Sequence, residues 1–360
     1  MNIAVFLPGW VGDAVMATPA LCALRQDCSA SHIVAIGKPY VADVFAGGDW
    51  FDEFIPCSGR GPWREGLLSV AWHLRQIRID LAILFANSFR TALVAWLGGC
   101  RQRIGFAGHG RSPLLTDVLQ PRRDDRGRRV PSPIIDDYNL LAEAAGCPGP
   151  GRRMRLFTTA ADQAAADAVW QRAGFDDYPE VICLNPGAAF GAAKHWPTAY
   201  FVELARRLAR ERCAGVLVLC GPSEREQASK IASMVDRPAV RSLGEFADSK
   251  EPTTVRLCLG LTKACVQRAD LLVTTDSGPR HFAAAFDRPV VTLFGPTHIA
   301  WTETYHPAAV HLQKRVECGP CQRRVCPLDH RCMKELSVAE VFAAAVALLD
   351  RASHRTKRGA

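Results

Sequence analysis

The stretch "TTDSGPRHFAAAFDRPVVTLFGPT", residues 274–297, decides how the chain is read. An apolar run over Ala269–Val273 leads into Asp276, Ser277 and Gly278, then a helical pattern carrying His281, then a second apolar run, Pro289–Phe294. Strand, short turn, helix, strand is the unit of a parallel sheet. Its turn joins a carboxylate, a hydroxyl and a glycine to the amino end of a helix, where unpaired N–H groups and the helix dipole favour an anion.

The same alternation extends outward in both directions. Strands are expected at Ile3–Leu7, His32–Ile36, Phe51–Pro56 and Leu81–Phe85, with helices at Ala14–Gln26, Pro39–Ala46 and Arg64–Ile77. "CPGPGRR" (147–153) interrupts with Pro and Gly, and a second strand series follows at Val181–Asn185, Gly215–Cys220 and Val240–Leu243. The expected organisation is a Rossmann-like lobe over 1–155, a linker helix region over 156–178, a second lobe over 179–336, and a terminal helix with a frayed basic tail over 337–360. Ser337 followed by Glu340 is the capping-box signature opening that last helix. The fold class is α/β, two parallel sheets facing a central cleft lined by strand carboxyl ends.

Composition limits the function. A chain of 360 residues, 22% charged, has room for two cores. It carries no apolar window long enough to span a bilayer and no basic leader before its first strand, so a cytoplasmic protein is expected. The net charge of +8 and five arginines in "RRDDRGRR" (122–129) suit an anionic partner: a phosphorylated lipid, a membrane surface or nucleic acid. A solvated loop is the plainer alternative.

Three further stretches carry chemistry. In "LPGWVGDAVMATPAL" (7–21), Gly9 and Gly12 permit a tight turn, and Asp13 falls in the first turn of a helix, as base or as cap, with Thr18 beyond. The spacing is not G-x-G-x-x-G, which disfavours a nicotinamide site. "NPGAAFGAAKHWP" (185–197) places Asn185 and Gly187 at a strand end with Lys194 beyond, a backbone turn and a point charge suited to phosphate. "CGPCQRRVCPLDHRC" (318–332) gathers four of the 14 cysteines, Cys318, Cys321, Cys326 and Cys332. Four thiolates suit a structural zinc or iron; two disulfides and four free thiols are the alternatives.

These motifs, in this order and over residue 3 to about 332, resemble the signature regions of the glycosyltransferase family 9 heptosyltransferases, the heptosyltransferase II type in particular. The resemblance implies a GT-B fold. It also implies inverting, metal-independent transfer of L-glycero-D-manno-heptose from ADP-heptose to the Kdo or heptose of the lipopolysaccharide inner core. On that template Asp13 is the general base, Lys194 meets the donor phosphates, and Asp276, Ser277, Gly278 and His281, with Asn185 and Gly187, form the donor turn. Gly12, Thr18, Arg101, Arg103 and Arg111 are the candidates for the acceptor side, and no catalytic cofactor is implied. The basic balance suits peripheral contact with the inner face of an anionic membrane. Two rivals stay in view: a family 9 transferase using another nucleotide sugar or acceptor, and a nucleic-acid-binding protein with a four-cysteine metal site. A relative that binds donor but has lost catalysis is a third, which the presence of Asp13 argues against.

Overall fold

The computed structural model describes residues 1–58, 66–247 and 255–358. The chain divides into two units: Met1–Phe157 with Ala300–Tyr305, and Thr158–Ile299 with His306–Ala360.

The first unit runs β1 (Asn2–Phe6), α1 (Val11–Met16), α2 (Thr18–Asp27), β2 (His32–Gly37), α3 (Ala42–Phe45), β3 (Glu53–Pro56), α4 (Leu67–Ile77), β4 (Leu81–Leu84), α5 (Phe89–Leu97), β5 (Gln102–Phe106), β6 (Asp117–Leu119) and α6 (Ile134–Ala144). Its six strands form one sheet, ordered β3-β2-β1-β4-β5-β6, every pairing parallel. Strands covered on both faces must be apolar throughout, and Ile3–Phe6 and Leu81–Leu84 are wholly buried. Val70, Ala71 and Leu74 of α4 and Ala92, Val94 and Ala95 of α5 cluster with Ala4, Phe6, Val34 and Leu84 on one sheet face.

The expected helix over Ala14–Gln26 is two helices. Pro19, in the first turn of α2, has no N–H to give back to the preceding turn, and the chain breaks at Ala17. Strands β5 and β6 escaped the sequence reading because "QRIGF" opens with two polar residues and β6 is a three-residue edge. Arg64, the first position of another expected helix, lies outside the described residues.

A short strap, Ala300–Tyr305, completes this unit from far along the chain. The Arg129 guanidinium lies 4.8 Å from the Trp301 ring centroid and that of Arg152 lies 4.3 Å from the Tyr305 ring. Tyr305 Oη donates to Asp136 Oδ2 at 2.7 Å, and Arg152 pairs with the other oxygen at 2.9 Å. The two cation–π contacts and the Tyr305 hydrogen bond to Asp136 together hold the strap in place.

The second unit runs α7 (Ala160–Ala173), β7 (Val181–Asn185), α8 (Thr198–Glu211), β8 (Gly215–Val218), α9 (Arg225–Val235), β9 (Val240–Ser242), α10 (Leu259–Arg268), β10 (Leu271–Thr275), α11 (Gly278–Ala285), β11 (Val290–Phe294), β12 (Ala309–Gln313), α12 (Arg331–Lys334) and α13 (Val338–Arg358). Its sheet, ordered β12-β11-β10-β7-β8-β9, is again parallel throughout. The stretch expected as a linker contains α7, which belongs to this unit; Thr159 and Asp162 form a reciprocal capping box at its start. The expected Ser337–Glu340 box is present, with Glu340 Oε2 accepting from Ser337 N at 3.0 Å and Ser337 Oγ accepting from Glu340 N at 3.3 Å. The tail expected to fray continues as α13 to Arg358.

Both sheets reverse strand order at one point, between β1 and β4 and between β7 and β10. Loops leaving the carboxyl ends of these neighbours diverge and leave a crevice, where ligands of doubly wound sheets bind.

Candidate functional site

In the second unit the reversal brings two expected motifs together. Asn185 ends β7, and Asp276–Gly278 follow β10, which pairs with it. The Asn185 amide donates to Thr274 Oγ1 at 3.0 Å, Ser277 Oγ at 2.9 Å and the Gly187 carbonyl at 3.3 Å. Thr275 Oγ1 donates to the same carbonyl at 2.9 Å. The two loops are therefore one hydrogen-bonded platform.

A Cβ at Gly187 would meet Glu224 Oε1 at 2.1 Å, so a side chain there would have to displace the Glu224 carboxylate. Ser277 is the N-cap residue of α11, but its side chain makes no capping bond to the helix, and Gly278 opens the first turn. The orphan N–H groups at this end are of the kind that bind an anion.

Beneath the platform sits a buried charge cluster. Lys194 Nζ donates to Asp276 Oδ2 at 2.6 Å and to the Asp276 carbonyl at 2.9 Å. Arg280 Nη1 donates to Asp276 Oδ1 at 3.0 Å, and Thr297 Oγ1 donates to Oδ2 at 2.7 Å. Burial alone would raise the Asp276 carboxyl. The charges of Lys194 and Arg280, with the hydrogen bonds from Lys194 and Thr297, outweigh it and hold the group ionised, well below the usual carboxylate range.

Two cations against one carboxylate leave this cluster with a surplus of positive charge next to the α11 amino end. His281, also buried, is pushed well down by burial and then by Arg280, so it stays neutral. Its Nδ1 has no hydrogen-bond partner among the described residues.

Sequence reading missed Arg280 and Thr297. The signal for Arg280 was its place four residues after Asp276, one turn along α11, and Thr297 closes the "GPT" that follows β11.

In the first unit Asp13 lies in the first turn of α1, after Trp10 in extended conformation. Its charge reaches the fully buried Tyr138 of α6, whose hydroxyl is pushed up first by burial and then by Asp13. Gly12, beside it, is half-buried.

The remaining acceptor candidates are not brought to one surface. Thr18 is fully buried; its Oγ1 donates to the Val15 carbonyl at 2.7 Å and accepts from Arg155 N at 3.1 Å. Arg111 is fully buried too. Its guanidinium donates to the carbonyls of Phe106 at 2.8 Å and Ala86 at 2.7 Å and to Asn87 Oδ1, and burial pushes it down to about 10. Both residues brace loops at the strand ends and present no side chain outward.

Arg103 donates to the Leu114 carbonyl at 2.6 Å and to that of Cys100. Arg101 is 81% exposed beside Asp80. In the arginine-rich loop, Asp124 accepts from the backbone N of Arg126 and Arg128 and from Arg128 Nε, and Arg129 pairs with buried Asp137 at 3.1 Å. That internal pairing weakens the nucleic-acid alternative.

The expected structural metal finds no support. Cys318, Cys321, Cys326 and Cys332 line one small pocket, and none of the four is in a disulfide. No group of three or more His, Cys, Asp or Glu among the described residues is arranged to hold a metal ion.

The loop still reaches the charge cluster. Ala193 N donates to the Arg324 carbonyl at 3.0 Å, His330 Nε2 lies 2.6 Å from the Ala193 carbonyl, and Gln322 N donates to the Pro296 carbonyl at 2.8 Å. It braces Lys194 and the turn after β11.

A family model described as glycosyltransferase family 9 (heptosyltransferase) matches residues 67–331. The chain is 25% identical over 358 residues to a lipooligosaccharide heptosyltransferase 2 of Campylobacter jejuni, covering 97% of this chain and 98% of that one. Among solved structures it is similar to a glycosyl transferase family 9 protein from Veillonella parvula, with a TM-score of 0.79, 22% identity and 97% of both chains covered. It is also similar to the ADP-heptose lps heptosyltransferase II of E. coli, with a TM-score of 0.76, 24% identity, and 98% and 99% covered. That likeness shows the fold, GT-B.

Proposed function

The chain belongs to glycosyltransferase family 9, the heptosyltransferases, and from that premise we propose that it transfers heptose from ADP-heptose to the inner core of lipopolysaccharide with inversion at the anomeric carbon. The observation that carries the reading is the Lys194–Asp276–Arg280 cluster under the α11 amino end. It is a cationic, water-poor seat for a nucleoside diphosphate at the switch point of the second sheet. The second unit is the donor lobe on this reading, and the first is the acceptor lobe.

An acceptor hydroxyl attacks the anomeric carbon from the face opposite the diphosphate. The new C–O bond forms as the bond to the β-phosphate oxygen breaks, and ADP leaves with the electron pair. The hydroxyl proton passes to the Asp13 carboxylate. The leaving diphosphate needs charge stabilisation rather than protonation, and Lys194, Ser277 and the N–H groups at Gly278 supply it, so one carboxylate suffices. Asn185 and Gly187 fix the platform and His281 lies behind it, while Gly12 adjoins Asp13 on the acceptor side. The chain works at the cytoplasmic membrane surface; no helix among the described residues is long and apolar enough to cross a membrane.

The test is calorimetric titration with ADP, ADP-heptose, UDP-glucose and GDP-mannose, together with the anomeric configuration of the product by NMR. Selective binding of the ADP ligands and an inverted product support the reading. Preferential binding of another nucleotide sugar would keep the family and replace the donor.

A further inference from the structure

Helices α4 and α5 cover one face of the first sheet, and their outward faces are unusually apolar for a solvent boundary. Leu68 and Trp72, four residues apart on α4, are each 64% exposed, and Phe89 and Trp96, seven apart on α5, are 45% and 50% exposed. These spacings put each pair on one stripe of its helix, opposite the buried Val70 and Leu74 of α4 and the buried Val94 of α5. The helices are joined at their carboxyl ends, where Arg75 Nε donates to the Leu97 carbonyl at 2.5 Å.

The charged residues along this stretch are mostly basic. Residues 67–116 hold six arginines and a single acid, Asp80. Arg103 and Arg111 turn inward to backbone carbonyls. The other four, Arg75, Arg78, Arg90 and Arg101, are exposed. Arg75 follows Trp72 by three positions, Arg90 adjoins Phe89, and Arg78 and Arg101 lie just past the two helix ends.

Exposed tryptophans with arginines around them, the nearby carboxylates Glu53 and Asp80 being paired with His73 and Arg101, match the boundary layer of an anionic bilayer: indole rings seat at headgroup depth while guanidinium groups meet phosphate. A protein partner would need acids of its own to meet these arginines, and a second copy of this face would set arginine against arginine.

We propose that the outer face of α4 and α5 docks the chain on an anionic phospholipid surface, lying in the interface without spanning it. The inference deepens the proposed function, on which it rests, by stating which surface brings the transferase to an acceptor anchored in lipid. The amino ends of α4 and α5 start beside the carboxyl edge of the first sheet, the edge from which the Asp13 turn also leaves.

The test is co-sedimentation of the full chain with phosphatidylcholine vesicles, with and without phosphatidylglycerol. Wild type is expected to partition about tenfold more strongly onto the anionic vesicles and to come off with added salt. Trp72→Ser with Trp96→Ser should lower anionic partitioning about tenfold, and Arg75→Gln or Arg90→Gln about fivefold each. Melting curves and ADP titrations of the variants should match wild type, which separates lost docking from lost folding.

Equal partitioning onto both vesicles, or variants that bind as wild type does, would overturn the proposal. So would a concentration-dependent dimer that the double tryptophan variant dissolves, because a second copy would then cover the face. Turnover of a delipidated core-sugar acceptor, measured in parallel, reads the transferase assignment independently of the vesicles.

Discussion

Lys194 Nζ lies 2.6 Å from one Asp276 carboxylate oxygen, and Arg280 Nη1 lies 3.0 Å from the other. One carboxylate thus holds two cations from different parts of the chain in a buried site. Asp276→Asn should cost about 3–5 kcal/mol, because two buried charges lose their partner. Urea unfolding checks this, and adding Lys194→Met should recover part of the loss. Equal stability of wild type and Asp276→Asn would show that the cluster does not depend on the charge.

Lys194 alone should matter more for binding than for folding, since Asp276 keeps Arg280 and Thr297 when it is removed. Lys194→Ala is expected to raise the Kd for ADP by about tenfold or more, the scale of one charge-assisted contact to phosphate. Lys194→Arg should fail to restore it, because a planar fork does not fit a site built for a compact ammonium. Calorimetry of the two variants reads both expectations.

Asp13→Asn removes a proton acceptor while keeping the size and polarity of the side chain. If Asp13 is the base, kcat should fall by about 10²–10⁴ and the Kd for ADP should not move. A variant turning over within a few fold of wild type would leave Asp13 as the helix-cap alternative.

The pH dependence has a definite sign. His281 is held neutral below its ordinary 6.5, chiefly by burial, and the unfolded chain takes up the proton first. Its contribution is full above pH 6.5 and is lost as pH falls toward the folded value, at about 1.4 kcal/mol per pH unit. His306 is depressed in the same direction, by burial first, so the acid slope has two contributors. His281→Gln should flatten the stability profile below pH 6.5 without abolishing it; an unchanged slope would show that His281 is protonated in the fold.

Free thiols at 318–332 should react with a disulfide reagent in order of exposure, Cys318 and Cys321 before Cys326, and Cys332 last, where burial pushes its thiol up. Cys318→Ser with Cys321→Ser should remove most of the fast phase, leaving the exposed Cys213. A thiol count that rises after chelation would reveal a bound metal, and one that rises only after reduction would reveal a disulfide.

Much of the fold was legible because a parallel sheet buried on both faces demands uninterrupted apolar runs, and "NIAVF", "LAIL", "VICLN" and "VVTLF" supply them. The strands that escaped are those under weaker demand. The outermost strand β12 is only partly buried, and the polar start of β5 hides a buried end at Gly105.

At the candidate site, strand-end residues such as Asn185 and Asp276 were legible because a doubly wound sheet delivers its loops to one edge. Long-range partners were not. Nothing local to Thr18 or Arg111 told that their polar atoms would be consumed by Val15, Arg155, Phe106 and Ala86 inside the unit. Basic residues near a proposed acceptor edge read as ligand contacts until their own carbonyl partners are in view.

The Ala300–Tyr305 strap bears on how this chain is made. Everything else in the first unit has been translated once Phe157 is in place, yet Trp301 and Tyr305, which cover Arg129 and Arg152, come much later. At about 5–20 residues per second the first unit waits roughly seven to thirty seconds for them, while nearly all of the second sheet is synthesised. A gene cut after Phe157 would encode the first unit without its last piece, with two arginines deprived of their aromatic covers and Asp136 deprived of a hydroxyl donor.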